Sequence, residues 1–478
     1  MRVAGLILAA GSASRFGAPK ALARFDGRPL LEHSLVAARA AGLEPIVVVL
    51  GAAADSIEAE VAWAGERRLR NPSPGRGLAS SLAIGIDAVA GVDPPVDVVV
   101  VLLGDQPRTD PVVIRSLVSR YEDGRAVGAA FVVPRYAAGS GANPVLVARS
   151  AFGLAREARG DRGLGPLIEA HPELVLVVPV DGDNPDVDTP ADLVGLVEAS
   201  WAGRVRANRE QVERVREVPQ GTDFYRPVSS LFRADPQRTD DPVLAALQSI
   251  VRPDDVVLDI GAGAGRYALP LACAVREVIA LDPSPAMLVA LREAMAEFGV
   301  VNIRPIEGRW PLDPAQPDGA AGRAALGPLP VADVALIAHV GYDVEAIGPF
   351  LDAMEAAARR TCVAVLMERS PGAIAAPFWP DVHGEERVAL PALASFVELL
   401  IARGKQPQVR LVETERRRWT DRRELETFLR DQTWTAPGSE RDGRLTASLD
   451  RRATVELNGG VSLGEDSKLS IGVVVWSP

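Results

Sequence analysis

At 478 residues the chain is too long for one hydrophobic core and requires two or three domains. Its 47% apolar and 24% charged residues are those of a folded globular protein. The net charge of −11 and a sequence pI near 5.1 exclude a general binder of nucleic acid or anionic membrane, while leaving room for a local cationic pocket.

The chain opens on "LILAAGSASRFGAPKAL", residues 6 to 22. Its apolar run is at the short end for a secretory signal core, and cleavage near residue 12 would remove the first strand of an α/β unit. We therefore expect this run to be a buried strand. Strand-like segments "VAGLILAA", "PIVVVL", "VDVVVVLLG", "AAFVVP", "NPVLVA" and "LVLVVPV" follow, separated by helical patterns such as "LLEHSLVAARAAG" and "DPVVIRSLVSRYEDG". Near-continuous apolar strands between helices predict a largely parallel sheet covered on both faces. The block closes on "DTPADLVGLVEASWAG", where Asp188 or Thr189 can cap a helix with Pro190 in its first turn.

Beyond residue 203 the chain becomes a charged helical lead-in, taken here to run to about residue 250. A second alternation then begins, with strands at "VVLDIG", "EVIALD", "NIRPIE", "VADVALIAH" and "TCVAVLM". The expected class is α/β: two doubly wound domains, 1–202 and 203–478, each with a mostly parallel central sheet, the second ending in antiparallel strands. The C-terminal "RATVELNGGVSLGEDSKLSIGVVVWSP" suggests such strands, with a turn at Asn458-Gly459. The Pro/Gly/Ala-rich segment 313–330 is predicted to be an exposed, mobile loop. Cys273 and Cys362 lie in apolar surroundings and are expected to be buried, reduced thiols of a cytoplasmic protein. The four histidines show no zinc spacing, and no apolar run reaches the roughly 18 residues of a membrane span.

Two glycine loops carry the chemistry. In the first, backbone N–H groups around Gly11 at a strand end can bind phosphate oxygens, although glycine there also has purely steric uses. Lys20 is one of three lysines (with Lys405 and Lys468) among 52 basic residues, so arginine does the routine work of solvating the surface. Asp105, in "LLGDQP", ends the most hydrophobic strand of the block and faces the crevice where α/β ligands bind. Asp186 and Asp188, in "NPDVDTPADL", offer further carboxylates; two carboxylates plus phosphate oxygens suit Mg²⁺. Turn and cap chemistry is an alternative for each acid alone.

Taken in order, "LILAAGSASRFGAPKAL", "RNPSPGRGLASSLAIGI", "LLGDQP", "SGANPVLV" and "DVDTPADL" resemble the MobA-like nucleotidyltransferases, and most of all their molybdenum cofactor cytidylyltransferase branch, over residues 1–200. The resemblance implies that Leu8, Ala9, Ala10 and Gly11 contact the nucleotide through their backbone. It further implies that Arg15 and Lys20 neutralise phosphate charge, that Asn71 and Ser80 lie near base or ribose, and that Asp105 and Asp188 hold Mg²⁺. The reaction implied is attack of a phosphorylated small-molecule acceptor, such as molybdopterin, on a nucleoside triphosphate, with CTP favoured by the "LAAG" spelling. A transient contact with a target molybdoenzyme belongs to the same picture. Gly165, in "GDRGLGPLI", stands where relatives often carry arginine, which leaves the acceptor open.

In the second loop, "VLDIGAGAGRYALPLA" has GxGxG spacing, and "VIALDPSPAML" places an acid at the next strand's end. This pattern resembles class I S-adenosylmethionine-dependent methyltransferases. Asp259, Gly261, Ala262, Gly263 and Gly265 would approach the cofactor, Asp282 would hold its ribose, and Glu307 would lie on the adenine side. His339 and Tyr342 fall near the methyl-acceptor position, and the lack of an NPPY-type motif argues for a small-molecule or side-chain acceptor over a DNA base. Two other readings remain open: a molybdoenzyme maturation or binding factor with little turnover, and a sugar- or alditol-phosphate nucleotidyltransferase fused to a methyltransferase.

Overall fold

In the computed structural model, the strand Val3–Ala9 (β1) buries its centre completely, because its alternating side chains enter two different cores. Leu6 and Leu8 pack with Val47, Val49, Val99 and Val101 on one face, and Ile7 packs with Val48, Leu50, Val100 and Leu102 on the other. A strand buried on both faces has no polar side, which is why these segments read as unbroken apolar runs. The structure describes residues 1–11, 16–124, 128–139, 141–218, 235–313, 315, 317–413, 418–455, 460–463 and 470–478. Arg15, Lys468 and the Asn458-Gly459 pair lie outside them.

The chain divides into two compact units, Met1–Leu196 and Val197–Pro478, and the division falls within the helix Pro190–Val215. That helix begins as its sequence suggests. The Thr189 hydroxyl accepts from the Asp192 N–H at 3.2 Å, and Asp192 accepts from the Thr189 N–H at 2.7 Å, a reciprocal cap.

In the first unit β1 is followed by β2 (Ile46–Leu50), β3 (Arg67–Arg70), β4 (Val98–Leu103), β5 (Phe131–Tyr136), β6 (Val145–Ala148) and β7 (Val175–Val180). Their spatial order is β3-β2-β1-β4-β6-β5-β7, with only β6 antiparallel to its neighbours. The chain moves outward from β1 to β3, then returns to the other side of β1 as β4. The carboxyl ends of β1 and β4 therefore flank a topological switch point, the place where open α/β sheets bind ligands. Leu8 pairs with Leu103, which sets Gly11 and Asp105 just beyond the ends of adjacent parallel strands.

The second unit repeats the device with β8 (Val256–Ile260), β9 (Glu277–Asp282), β10 (Ile303–Glu307), β11 (Ala332–Ala338), β12 (Ala358–Met367), β13 (Gln408–Glu413) and β14 (Ser470–Trp476). The order is β10-β9-β8-β11-β12-β14-β13, parallel except for β14, which runs antiparallel to β12 and β13. The switch point falls between β8 and β11. The expected antiparallel ending is present, although the ribbon Thr454–Val455 with Val461–Ser462 is a separate two-stranded sheet.

Two expectations are corrected, and one feature is new. Residues Pro317–Leu326 form a helix rather than a loop; its alanines favour the helix, and Leu326 at 4% exposure anchors its end. Cys273 is exposed just past the C-terminus of the helix Ala268–Ala272, whereas Cys362 is buried on β12; both thiols are free. Between β12 and β14 the chain also inserts helices with a core of their own, formed by Phe378, Val382, Trp419, Leu425, Leu429, Leu445 and Leu449, which the α/β pattern does not announce.

Candidate functional sites

At the first switch point the Lys20 ammonium lies 2.6 Å from Asp105 Oδ2 and 2.9 Å from Asp188 Oδ1. Three residues far apart in sequence thus converge on one nitrogen. Burial works to lower the pKa of Lys20, but the charges and hydrogen bonds of Asp105 and Asp188 outweigh it and hold the ammonium above its ordinary range. The other Asp105 oxygen, Oδ1, is buried with no hydrogen-bond partner. An unsatisfied buried carboxylate oxygen is costly unless a ligand or ion completes it.

The loop that brings Asp188 here is tied to β4: the Val187 N–H donates to the Asp105 carbonyl at 3.1 Å. Gln106, 1% exposed, donates through Nε2 to Asp186 Oδ1 at 2.8 Å. Burial, together with the nearby charges of Asp105 and Asp188, raises the pKa of Asp186. Gln106 had no assigned part in the sequence reading; its position directly after Asp105 is the signal that would have found it.

Leu8 and Ala9 end β1, and the Gly104 N–H donates to the Leu8 carbonyl at 2.9 Å. A Cβ on Gly51 would stand 2.5 Å from the Ala10 carbonyl oxygen, so glycine at the end of β2 lets the Ala10 turn pass, while a Cβ on Gly11 would meet nothing within 4 Å. Asn71 is 5% exposed, and its amide is fully engaged: Nδ2 donates to the Ser80 and Ser81 hydroxyls at 2.8 and 2.9 Å, and Oδ1 accepts from the Ser73 N–H at 2.9 Å. Asn71 and Ser80 thus pin the "RNPSPG" loop, and any contact of theirs with a base would come through that loop. Gly165 opens a short helix, Gly165–Ala170. Among the described residues no three His, Cys, Asp or Glu side chains form a metal cluster.

At the second switch point Gly261, Gly263 and Gly265 have φ of 77°, 55° and 91°, values that only glycine adopts freely. The Gly261 and Ala262 N–H groups both donate to the Leu281 carbonyl, at 2.7 and 3.1 Å. Asp282, at the end of β9, accepts from the Gly263 N–H through Oδ2 and from the Ser284 N–H through Oδ1, both at 2.8 Å. It therefore shapes the glycine loop as well as lining it. Glu307 is the register partner of Asp282 on β10 and is exposed.

Asp259 is 2% exposed, with Oδ1 buried and unpartnered. Burial, reinforced by Asp282, pushes its pKa up to about 7. An acid whose folded pKa exceeds its ordinary value of 3.8 stabilises the fold below that value and loses the contribution as pH rises through about 7. Asp259→Asn should thus raise the thermal midpoint at pH 8, with a gain of about 4 kcal/mol in stability that vanishes below pH 4. Parallel melting curves across that range check it.

His339 follows β11 with φ of 60°, and its Nδ1 is buried without a partner; burial lowers its pKa to about 4. Tyr342 is buried, and its hydroxyl accepts from the Met367 N–H at 2.6 Å, a bond that serves the sheet.

Comparison with known proteins bears on both units. The model of the MobA-like NTP transferase domain matches residues 5–175, and that of a methyltransferase domain matches residues 257–324. Nicotine blue oxidoreductase of Paenarthrobacter nicotinovorans is 30% identical over 201 residues, 41% of this chain and 96% of its own. The chain belongs to the MobA-like NTP transferase family. A methyltransferase domain accompanies that family's domain in the second unit. The bifunctional protein GlmU of Pelobacter propionicus is 35% identical over 107 residues, 22% of this chain; the chain spans about a quarter of the length of the GlmU proteins it matches. Among solved structures, Rv0371c of Mycobacterium tuberculosis H37Rv is 31% identical, with a TM-score of 0.36, covering 41% of this chain and 97% of its own. No helix among the described residues is long and apolar enough to cross a membrane.

Proposed function

We propose a bifunctional enzyme with a nucleotidyltransferase site in domain 1–202 and an S-adenosylmethionine-dependent methyltransferase site in domain 203–478. The observation that carries the first is Lys20 held between Asp105 and Asp188 at the carboxyl ends of the switch-point strands. The unsatisfied Asp105 Oδ1 and the oxygen-only donor set fit Mg²⁺, which would screen the triphosphate and polarise its α-phosphorus. Lys20 then turns from the carboxylates to the phosphates and neutralises the charge that develops as pyrophosphate leaves. The Leu8–Gly11 backbone and the Asn71-pinned loop orient base and ribose, and Arg15 is assigned to the phosphates. The acceptor's phosphate oxygen attacks the α-phosphorus, so alignment and charge stabilisation supply the catalysis without a covalent nucleophile.

The "LAAG" loop supports CTP, and the family resemblance supports molybdopterin as acceptor and a molybdoenzyme as recipient. Two free thiols fit a cytoplasmic protein. In the second domain, the Gly261–Gly265 turn would seat the methionine part, Asp282 the ribose and Glu307 the adenine side. Asp282, at the end of β9, would accept from the ribose hydroxyls, and the unpartnered Asp259 Oδ1 fits a cationic cofactor nearby. The cofactor would supply an electrophilic methyl group.

The test is pyrophosphate release from CTP, GTP and ATP with Mg²⁺ and a panel of phosphorylated acceptors. CTP should be preferred, and release should require an acceptor. Absence of release with every pair would overturn the first assignment. A second reading has one observation in its favour: the relative matched over nearly its whole length is named an oxidoreductase. Reduction of a chromogenic substrate without pyrophosphate release would favour that reading.

A further inference from the structure

The helical insertion between β12 and β14 contains a guanidinium, that of Arg387, held by carbonyls and an aromatic ring. Arg387 donates through Nη1 to the carbonyls of Gly372, at 2.9 Å, and Gln432, at 3.4 Å, and stands 5.3 Å over the Trp379 ring. Among the described residues no carboxylate pairs with it; its neighbour Glu385 is engaged with Arg214 at 2.9 Å. Burial alone draws its pKa down to about 10, in contrast to Arg214 and Arg403, which carboxylates hold above their ordinary value. Arg387 is half-buried, and a charge withdrawn from water is usually paired.

The surroundings hold this side chain in place. Gln211, 4% exposed, clamps the backbone on both sides of Arg387: Nε2 donates to the Glu386 carbonyl and Oε1 accepts from the Val388 N–H, each at 2.8 Å. Gly372 has φ of 82°, and a Cβ there would run into Arg387 Nη1, so only glycine lets the guanidinium lie against this loop. The stacked Trp379 is fully buried, and its indole N–H has no partner. Among the described residues Nη1 alone donates hydrogen bonds, and Nε and Nη2 form a planar pair of donors matched to two oxygens of one anion. The Gly372 loop leaves the carboxyl end of β12, the sheet edge on which β8 carries the Gly261 loop.

We propose that Arg387 is an anion-binding residue that receives a carboxylate or phosphate group of the methyl acceptor. The proposal rests on the methyltransferase reading of the second domain and adds to it a substrate class, an acidic acceptor. Arg387 fixes the acceptor by a bidentate grip, and the Trp379 ring keeps the fork in one plane.

The test titrates the full chain, carrying Lys20→Met to silence the first unit's phosphate cradle, with inorganic phosphate and with acetate at constant ionic strength. Calorimetry should show saturable binding, and the tighter anion identifies the group recognised. Arg387→Gln should weaken it at least tenfold. Arg387→Lys keeps the charge but not the fork, should weaken it at least threefold, and decides the matter if Arg387→Gln does not fold. No saturable binding by the parent, or unchanged affinity in the folded variants, overturns the site. S-adenosylmethionine binding is read separately and should change less than twofold in Arg387→Gln. A chain that binds phosphate through Arg387 but not S-adenosylmethionine sinks the methyltransferase reading alone.

Discussion

Asp105→Asn is expected to lower the rate of nucleotidyl transfer by about 10²- to 10³-fold, the usual cost of removing one preorganised charge-stabilising group. The substitution keeps the shape and still accepts from Lys20, so the fold should survive and the loss reports charge. Two consequences separate this from a general disturbance. Manganese titrated into the nucleotide-free chain and followed by paramagnetic resonance should bind more weakly in the variant. Asp186→Asn should cost less than about tenfold, because Asp186 Oδ1 accepts from the Gln106 amide while Asp105 and Asp188 hold Lys20. Equal losses in the two variants would contradict the assignment of the site to Asp105 over Asp186.

Asp282→Asn should reduce affinity for S-adenosylmethionine by at least about 100-fold, although the two side chains are nearly isosteric. Both Asp282 oxygens face backbone donors, the Gly263 and Ser284 N–H groups. An amide must turn its NH₂ toward one of them and place donor against donor. Each hydrogen bond to a charged group is worth about 1.5–3 kcal/mol, so losing one and straining the glycine turn accounts for the effect. Equilibrium dialysis with the labelled cofactor measures it. Affinity within threefold of the parent would show that the turn holds its shape without the carboxylate.

Much of this was legible in the sequence because buried parallel strands announce themselves as unbroken apolar runs and their ends carry the ligand-binding residues. "LILAAG", "LLGDQP" and "VLDIGAG" each combine a strand with a chemical group at its carboxyl end. That Lys20, Asp105 and Asp188 belong to one nucleotide site was implied by family resemblance; their direct contact was not, because it depends on the register of β1 against β4 and on the Val187–Asp105 tie, which no local pattern encodes. The strand β3 escaped notice because "RRLR" is an exposed edge, charged rather than apolar. The helix Pro317–Leu326 was hidden by its glycines and prolines, whose local cost tertiary packing overrides. Arg387 gave no signal either: one arginine among many becomes unusual only when burial and the absence of a carboxylate are seen together.

Two ligand sites are proposed, one in each unit, for a nucleotide and for S-adenosylmethionine. Calorimetric titration of the full chain with CTP and Mg²⁺, and then with S-adenosylmethionine, distinguishes them. One equivalent of each should bind, with the nucleotide lost in Lys20→Met, the cofactor lost in Asp282→Asn, and each variant retaining the other ligand. Competition of the two ligands for a single site, or failure of both to bind the parent chain, would contradict the account.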